Sequence, residues 1–270
     1  MSRSLSSDRR ARRRVLAMGI VVLIVGALIA VVGVGGTNDR KPPPRKAPRP
    51  FTVGTGARSA RVFPARGRQR RATVVFLHGW GLTGPKAYSA WLHHLTARGS
   101  TVIVPRYQSS LRTSSETVPD NALTGIRAAL RRLRPRPRSV VVAGHSVGGI
   151  LAVDYATRAE SLGLPAASAV MIVFPGGAIR DMAPVPEEDP ARIPASIRRF
   201  VVLMSPADQL VGTATAESIY AGALDVPEGR RQLVSVDDPS AGDHFAPVLD
   251  SPAARTVFWA RLDRLVRLAG

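Results

Sequence analysis

Short apolar runs alternate with longer amphipathic segments from about residue 72 to the end of the chain. The runs are continuously apolar, which is typical of strands buried on both faces of a parallel sheet. The segments between them have the spacing of helices with one buried face. Together they predict an α/β fold with a mostly parallel central sheet and helices on both faces. The expected strands are 72–77, 101–105, 138–143, 168–174, 199–205 and 231–236, and the expected helices are 85–98, 120–133, 147–160, 214–223 and 252–268.

Two stretches interrupt this alternation. Residues 51–64 are expected to add one or two irregular edge strands. The helix that should connect the strands 168–174 and 199–205 is replaced by Gly176 to Ser196, which is rich in proline and acidic residues. Because proline restricts the backbone and lacks an N–H donor, this stretch predicts a small lid or an irregular flap.

The first part of the chain has a different pattern. Val15 to Val34 form an uncharged apolar run of about 20 residues, long enough to cross the hydrocarbon core of a bilayer as a helix. A cleaved secretory signal is the alternative, although Ala27 to Ala30 lack the spacing of its usual cleavage site. The expected parts are a basic cytoplasmic tail over 1–14, a transmembrane signal-anchor over 15–34, a linker rich in proline and arginine over 35–58, and a globular domain over 59–270.

Basic residues lie on both sides of the apolar run, and the cluster Arg12 to Arg14 adjoins it directly. We therefore expect a single-pass protein with its N-terminus in the cytoplasm and its globular domain on the outer side of the cell membrane. The proline-rich stretch Lys41 to Pro50 would act as a stiff spacer. The bias toward arginine, alanine and proline suggests a bacterial source with a GC-rich genome.

The net charge of +19 raises the question of nucleic-acid binding. About half of this excess lies in the first 50 residues. The other basic clusters, Arg66 to Arg71 and Arg131 to Arg138, contain no aromatic side chains on which bases could stack. This argues against a nucleic-acid partner and favours attraction to anionic lipid headgroups or an acidic envelope polymer.

The motif Gly144-His145-Ser146-Val147-Gly148 lies where the strand 138–143 meets the helix 147–160. A turn this tight between a strand and a helix is a nucleophile elbow, in which the central serine adopts a strained backbone conformation. A side chain at Gly144 or Gly148 would collide with the neighbouring strand and helix. The pattern therefore predicts that Ser146 is held at the edge of the sheet as a nucleophile.

A second glycine-rich segment, His78-Gly79-Trp80-Gly81, follows the strand 72–77 and can aim backbone N–H groups at the same edge. With this segment and the elbow in this order, residues 60 to 268 resemble the α/β-hydrolase superfamily, in particular its esterase-like and lipase-like serine hydrolases. The resemblance implies that Trp80 and Val147 supply the two N–H groups of an oxyanion hole, with Gly79 and Gly81 as the loop glycines.

The resemblance also implies a triad in the order serine, acid, histidine. Asp208 follows the strand 199–205 and is the implied acid, while Asp181, beyond the preceding strand, is the alternative. His244 precedes the last helix and is the implied base. The remaining histidines have other expected places, with His78 in the oxyanion loop, His145 in the elbow, and His93 and His94 on the helix 85–98.

These residues imply that His244 takes the proton of Ser146, that Asp208 orients the imidazole, and that the acyl group is transferred to Ser146. We expect a membrane-anchored hydrolase of a small or lipid-like carboxylic ester. The scattered histidines and the absence of cysteine imply neither a metal nor a cofactor. Two alternatives stay open: an acyltransferase that uses the same acyl-enzyme, and a catalytically idle binding protein with this fold.

Overall fold

The computed structural model describes residues 48–66, 71–82, 84–134, 136–178 and 183–270. The expected tail 1–14, the expected transmembrane segment 15–34 and the first part of the linker lie outside these residues. Within the described ranges, no helix has both the length and the apolar character needed to cross a bilayer.

The core of the domain is a sheet of eight strands, with the bounds β1 Phe51–Val53, β2 Ala60–Phe63, β3 Thr73–Leu77, β4 Val102–Pro105, β5 Val140–His145, β6 Ala167–Val173, β7 Arg199–Met204 and β8 Arg231–Ser235. Their order in the sheet is β1-β2-β4-β3-β5-β6-β7-β8. The strands β1 and β2 are antiparallel, and the pairings from β3 to β8 are parallel. The mostly parallel sheet is therefore confirmed, and the six predicted strands end within two residues of their expected limits.

Each expected helix is present, and two of them begin with a 3₁₀ turn, at Pro85–Tyr88 and at Ser115–Thr117. The last helix is interrupted by a π-helical turn over Arg255–Trp259. The helices are α1 Ser89–Ala97, α2 Val118–Arg132, α3 Val147–Arg158, α4 Ala214–Gly222, α5 Pro252–Ala254 and α6 Ala260–Ala269.

The helices cover both faces of the sheet. Alternate residues of β5 belong to different apolar clusters, with Val140 and Val142 in one and Val141 and Ala143 in the other. Helices α2, α3 and α4 pack in the first cluster, whereas α1 and α6 pack in the second. Burial on both faces is the reason that the strands are continuously apolar.

The folded domain begins earlier than the expected boundary at residue 59. Its compact unit starts at Ala47, and β1 pairs with β2 through the registers Phe51↔Val62 and Val53↔Ala60. Residues 51–58 of the expected linker therefore belong to the sheet region, because Phe51 and Val53 pack against the apolar core.

The described parts of the expected flap contain a short 3₁₀ turn, Pro190–Arg192, and no α-helix. The apolar side chains Val185 and Ile193 of this stretch, and Ile197 just after it, are buried in the same cluster as α3 and α4. These side chains therefore extend the apolar cluster on that face of the sheet.

Candidate active site

Ser146 is the last residue before α3 and has the backbone angles φ 58° and ψ −125°. This conformation is unfavourable for a residue with a side chain, so the surrounding structure must hold it. The Ser146 N–H donates to the carbonyl of Val173 over 3.0 Å, and the Ser146 carbonyl accepts from the N–H of Gly149 over 2.7 Å. These bonds fix the turn and present the serine hydroxyl at the carboxyl end of β5.

The two glycines of the elbow lie where no side chain fits. A Cβ atom on Gly144 would be 1.9 Å from the carbonyl oxygen of Gly148, and one on Gly148 would be 2.1 Å from the carbonyl oxygen of Leu77. Real Cβ atoms do not approach so closely. The glycine spacing therefore allows α3 to start directly above β3 and β5.

The structure brings Ser146, His244 and Asp208 together in one hydrogen-bonded chain. Ser146 Oγ lies 3.0 Å from His244 Nε2, and His244 Nδ1 lies 2.6 Å from Asp208 Oδ2. Asp208 is 2% exposed, His244 4% and Ser146 8%, so the chain is largely shielded from solvent while its serine end is the most accessible. A carboxylate accepts hydrogen bonds, so Nδ1 carries the imidazole proton and Nε2 is free to accept from the serine.

The second oxygen of Asp208 fixes the carboxylate in its loop. Asp208 Oδ1 accepts from the N–H groups of Leu210 over 2.9 Å and Val211 over 3.1 Å. Ser205, at the start of this loop, donates to the carbonyl of Val236 over 2.9 Å and thereby connects it to the chain that follows β8. The acid is thus held between two backbone donors and the imidazole.

The loop after β3 is clamped on both sides of Trp80. The N–H of Gly79 donates to the Tyr88 hydroxyl over 3.0 Å, and the N–H of Gly81 donates to Gln108 Oε1 over 3.2 Å. The N–H groups of Trp80 and Val147, in contrast, have no hydrogen-bond acceptor within the described part of the chain. These two N–H groups therefore remain available as hydrogen-bond donors beside Ser146.

The same loop lies directly beside the nucleophile. A Cβ atom on Gly79 would be 3.5 Å from the Cβ of Ser146 and 3.4 Å from His145 Nδ1. Glycine at this position allows the backbone next to Trp80 to approach the serine closely.

His145 connects the loop after β3, which contains His78 to Gly81, to the loop that carries His244. Its Nε2 lies 2.9 Å from the backbone carbonyl of His244, and its Nδ1 lies 2.7 Å from the Tyr88 hydroxyl. A carbonyl can only accept, so Nε2 donates and Nδ1 accepts from Tyr88. Burial, followed by the nearby His244, holds the pKa of His145 well below its ordinary value. The ring is therefore neutral and takes part in an ordered chain from Gly79 through Tyr88 to His244.

The sequence model of the alpha/beta hydrolase family matches residues 74–269. The chain belongs to this family. The matched residues include the oxyanion loop, the elbow, Asp208 and His244. No curated protein gave a match to this α/β-hydrolase.

Several solved structures share the fold of this α/β-hydrolase. The esterase domain of a Rhodothermus marinus protein is 19% identical, with a TM-score of 0.56 and coverage of 81% of this chain and 99% of that one. Carboxyl esterase 2 of the fungus Tuber melanosporum is 14% identical, with a TM-score of 0.63 and coverage of 92% and 98%. A thermostable esterase from Pseudomonas putida is 16% identical, with a TM-score of 0.59 and coverage of 82% and 83%.

Two other histidines of the α/β-hydrolase, His78 and His94, contact residues away from the candidate site, and His93 is exposed on α1. His78 is fully buried and stacks on Tyr107 with 4.2 Å between ring centroids, and its burial lowers its pKa to about 4. His94 Nε2 lies 2.9 Å from Asp263 Oδ2 and joins α1 to α6. The alternative acid, Asp181, lies outside the described residues.

Sequence reasoning missed Tyr88 and Gln108, and it gave His145 no role beyond its place in the elbow. Tyr88 lies within the expected helix 85–98, where a tyrosine is an ordinary buried residue, and Gln108 lies in a loop after β4. No local pattern marks either residue, because their partners come from other segments of the chain.

Proposed function

We propose that this α/β-hydrolase cleaves a carboxylic ester through an acyl-enzyme on Ser146. The observation that carries the proposal is the continuous chain from Ser146 Oγ through both nitrogens of His244 to the anchored carboxylate of Asp208. Esterase is also the description of the three similar structures, and at their low identities this likeness supports the activity only as a proposal.

In the proposed reaction, Ser146 Oγ attacks the carbonyl carbon of the ester while His244 Nε2 takes the hydroxyl proton. Asp208 keeps the proton on Nδ1 and stabilises the imidazolium that forms. The imidazolium then gives its proton to the leaving alcohol as the carbon–oxygen bond breaks. Water, deprotonated by His244, attacks the acyl-enzyme and releases the acid and Ser146.

The tetrahedral intermediate carries a negative oxygen that needs donors already in place. The free N–H groups of Trp80 and Val147 would supply them, since the neighbouring N–H groups of Gly79 and Gly81 are already bound to side chains. Loss of one such donor typically costs on the order of 3 kcal/mol of transition-state stabilisation.

Apolar side chains beside the site favour an ester with an apolar acyl or alcohol group. Phe245 is 38% exposed and lies 5.4 Å from the His244 ring, and Leu210, in the Asp208 loop, is 55% exposed. Leu111, which is 62% exposed, lies against Gly81 of the oxyanion loop. These side chains would bury apolar groups of a small or lipid-like substrate.

We further propose that the enzyme is a single-pass protein of the cell membrane with its catalytic domain outside the cytoplasm. The proposal is supported by the uncharged run Val15 to Val34 and the adjoining cluster Arg12 to Arg14. Such a location would give the site access to envelope lipids and to incoming esters.

Two assays of the full-length protein test this chemistry. One is labelling with a fluorophosphonate, and the other is hydrolysis of p-nitrophenyl esters of graded chain length. Ser146→Ala should lose the label and at least about 10⁴-fold in kcat without unfolding. Asp208→Asn should lose about 10⁴-fold in kcat, because the imidazole would take the wrong tautomer. Asp181→Asn is the matched control and should keep most of the activity.

Near wild-type labelling or hydrolysis by folded Ser146→Ala would refute the acyl-enzyme. A larger loss in Asp181→Asn than in Asp208→Asn would transfer the role of the acid to the earlier loop.

A further inference from the structure

A large cavity lies at the edge of the sheet opposite to Ser146. It has a volume of about 1010 Å³ and is lined by Thr73 at the start of β3, Ser139 just before β5 and Arg198 just before β7. These positions are the amino ends of parallel strands, whereas Ser146 follows the carboxyl end of β5. The cavity is therefore separate from the catalytic site.

Arginine dominates the charge of this cavity. Six arginine side chains line it, and no aspartate or glutamate does. None of the six forms an ion pair within the part of the chain that the structure describes. The arginines are Arg71, Arg132, Arg134, Arg136, Arg138 and Arg198.

Two observations show that these side chains have hydrogen-bond donors without an acceptor in the described residues. Arg71 Nε is buried without a hydrogen-bond partner in the described residues, which is costly for a charged group. Arg132 and Arg138 are exposed and donate no hydrogen bond within those residues, whereas Arg134 and Arg198 bind only backbone carbonyls. An anion in the cavity would satisfy donors that the described chain leaves open.

We propose that this cavity binds the phosphate groups of anionic phospholipid headgroups. The planar guanidinium group matches phosphate oxygens with two parallel hydrogen bonds, and a cavity lined by six arginines and no aspartate or glutamate attracts such anions. The volume of about 1010 Å³ corresponds to roughly 30 water molecules, which is far more than a single phosphate ion needs.

The adjoining sequence favours a lipid source for the phosphate. Pro48 itself lines the cavity, and the chain that leads to it carries further basic residues between Arg40 and Arg49. The uncharged apolar run Val15 to Val34 precedes them. Basic residues held close to a membrane surface are attracted to anionic lipid headgroups. This inference is independent of the Ser146 chemistry.

The test uses the full-length protein in neutral-detergent micelles. Its Tm is measured while dihexanoylphosphatidylglycerol, dihexanoylphosphatidylcholine or sodium phosphate is added. The cavity variant is Arg132→Gln with Arg138→Gln, and the matched control is Arg230→Gln with Arg264→Gln, two exposed arginines outside the cavity. Ester hydrolysis and circular dichroism confirm that each variant is folded.

We expect the phosphatidylglycerol alone to raise the Tm of the wild type and the control. The cavity variant should bind it roughly thirtyfold more weakly, and added salt should weaken binding in every case. Arg132→Lys with Arg138→Lys keeps the charge but loses the paired donors, so it should show an intermediate affinity and provides a second readout if the glutamine variant fails to fold.

An equal response of cavity and control variants, or no response to phosphatidylglycerol, would overturn the proposal. A cavity-dependent response to sodium phosphate as strong as that to phosphatidylglycerol would also overturn it, in favour of a site for free phosphate.

Discussion

At the scale of single residues, the Tyr88 hydroxyl lies between the two loops that surround Ser146. It accepts from the Gly79 N–H over 3.0 Å and donates to His145 Nδ1 over 2.7 Å. His145 in turn donates to the backbone carbonyl of His244 over 2.9 Å. We infer that Tyr88 is a positioning residue, because it connects the backbone beside Trp80, the proposed oxyanion donor, to the backbone of His244, the proposed general base.

Tyr88→Phe should lower kcat about tenfold, because the loop after β3 and the loop that carries His244 lose a shared hydrogen-bond partner. KM should stay nearly unchanged, because the apolar side chains beside the site are not altered. Steady-state kinetics with a p-nitrophenyl ester measures this. Tyr155→Phe is the matched control, since that hydroxyl is bonded to the Pro165 carbonyl over 2.7 Å within α3 and its following loop. The control should lose stability but not kcat. Equal kcat values for the two variants would contradict the positioning role.

At the scale of elements, the crossing of α3 over β3 and β5 has no room for a side chain. Gly148→Ala would place a Cβ atom 2.1 Å from the Leu77 carbonyl oxygen, which is rigid sheet backbone. The helix would have to move away from the sheet, so the serine turn would be lost with it.

We expect Gly148→Ala to abolish activity and to lower the free energy of unfolding by several kcal/mol, as overpacking against backbone does. Gly229→Ala is the control, because nothing lies within 4 Å of a Cβ atom at that glycine. Urea unfolding compares the two. A Gly148→Ala protein as stable as Gly229→Ala would show that the crossing can relax at little cost.

Helix α3 also carries a buried acid, Asp154, which accepts from Arg158 over 2.9 Å. Burial raises the pKa of Asp154 to about 6, although Arg158 opposes the shift. Because this pKa exceeds the unfolded value, the folded protein binds more protons between about pH 4 and 6. The contribution of Asp154 to stability therefore decreases as the pH rises through that range.

The free energy of unfolding of wild type minus that of Asp154→Asn should decrease by on the order of 3 kcal/mol from about pH 4 to above pH 6. Urea unfolding across this range measures it. Asp120→Asn removes an exposed partner of the same arginine and should keep most of the wild-type pH dependence, because Asp120 is the smallest contributor to the raised pKa of Asp154. A flat difference between wild type and Asp154→Asn would show that Asp154 titrates as an ordinary carboxyl.

At the scale of the whole molecule, different side chains lie at the carboxyl ends and at the amino ends of the parallel strands. The candidate catalytic chain lies at the carboxyl ends of the strands, and the arginine-lined cavity lies at the amino ends. If the proposed membrane location is correct, the side of the membrane on which the domain lies decides which esters can reach Ser146.

Protease added to intact spheroplasts should degrade or release the part of the chain from Phe51 onward, because we expect the domain outside the cytoplasm. Immunoblotting measures this, and carbonate washing should leave the full-length chain in the membrane pellet. A cytoplasmic marker protein is the control for intact cells. A protected domain would reverse the orientation, and a soluble form that begins near residues 31 to 40 would indicate a cleaved signal.

The sequence by itself determined the features that depend on local order along the chain. A strand buried on both faces must be apolar throughout. The apolar runs therefore predicted the first and last residues of β3 to β8 to within two residues. A tight turn needs glycines at set offsets, so Gly144 and Gly148 marked the elbow around Ser146. The N-terminal boundary of the domain was harder to predict from the sequence, because β1 is only three residues long.

Only the tertiary structure decided which distant groups meet. The resemblance implied Ser146, Asp208 and His244 as a set, but their contacts appear only in the fold, because Ser146 and His244 are 98 residues apart in sequence and Asp208 reaches His244 from a third loop. The partners of Gly79 and Gly81, which leave the Trp80 N–H free, come from Tyr88 and Gln108. Local patterns carry no information on such contacts, because the crossing of strands and helices sets them. For the same reason, the gathering of arginines from separate segments around one cavity emerges only in the folded chain.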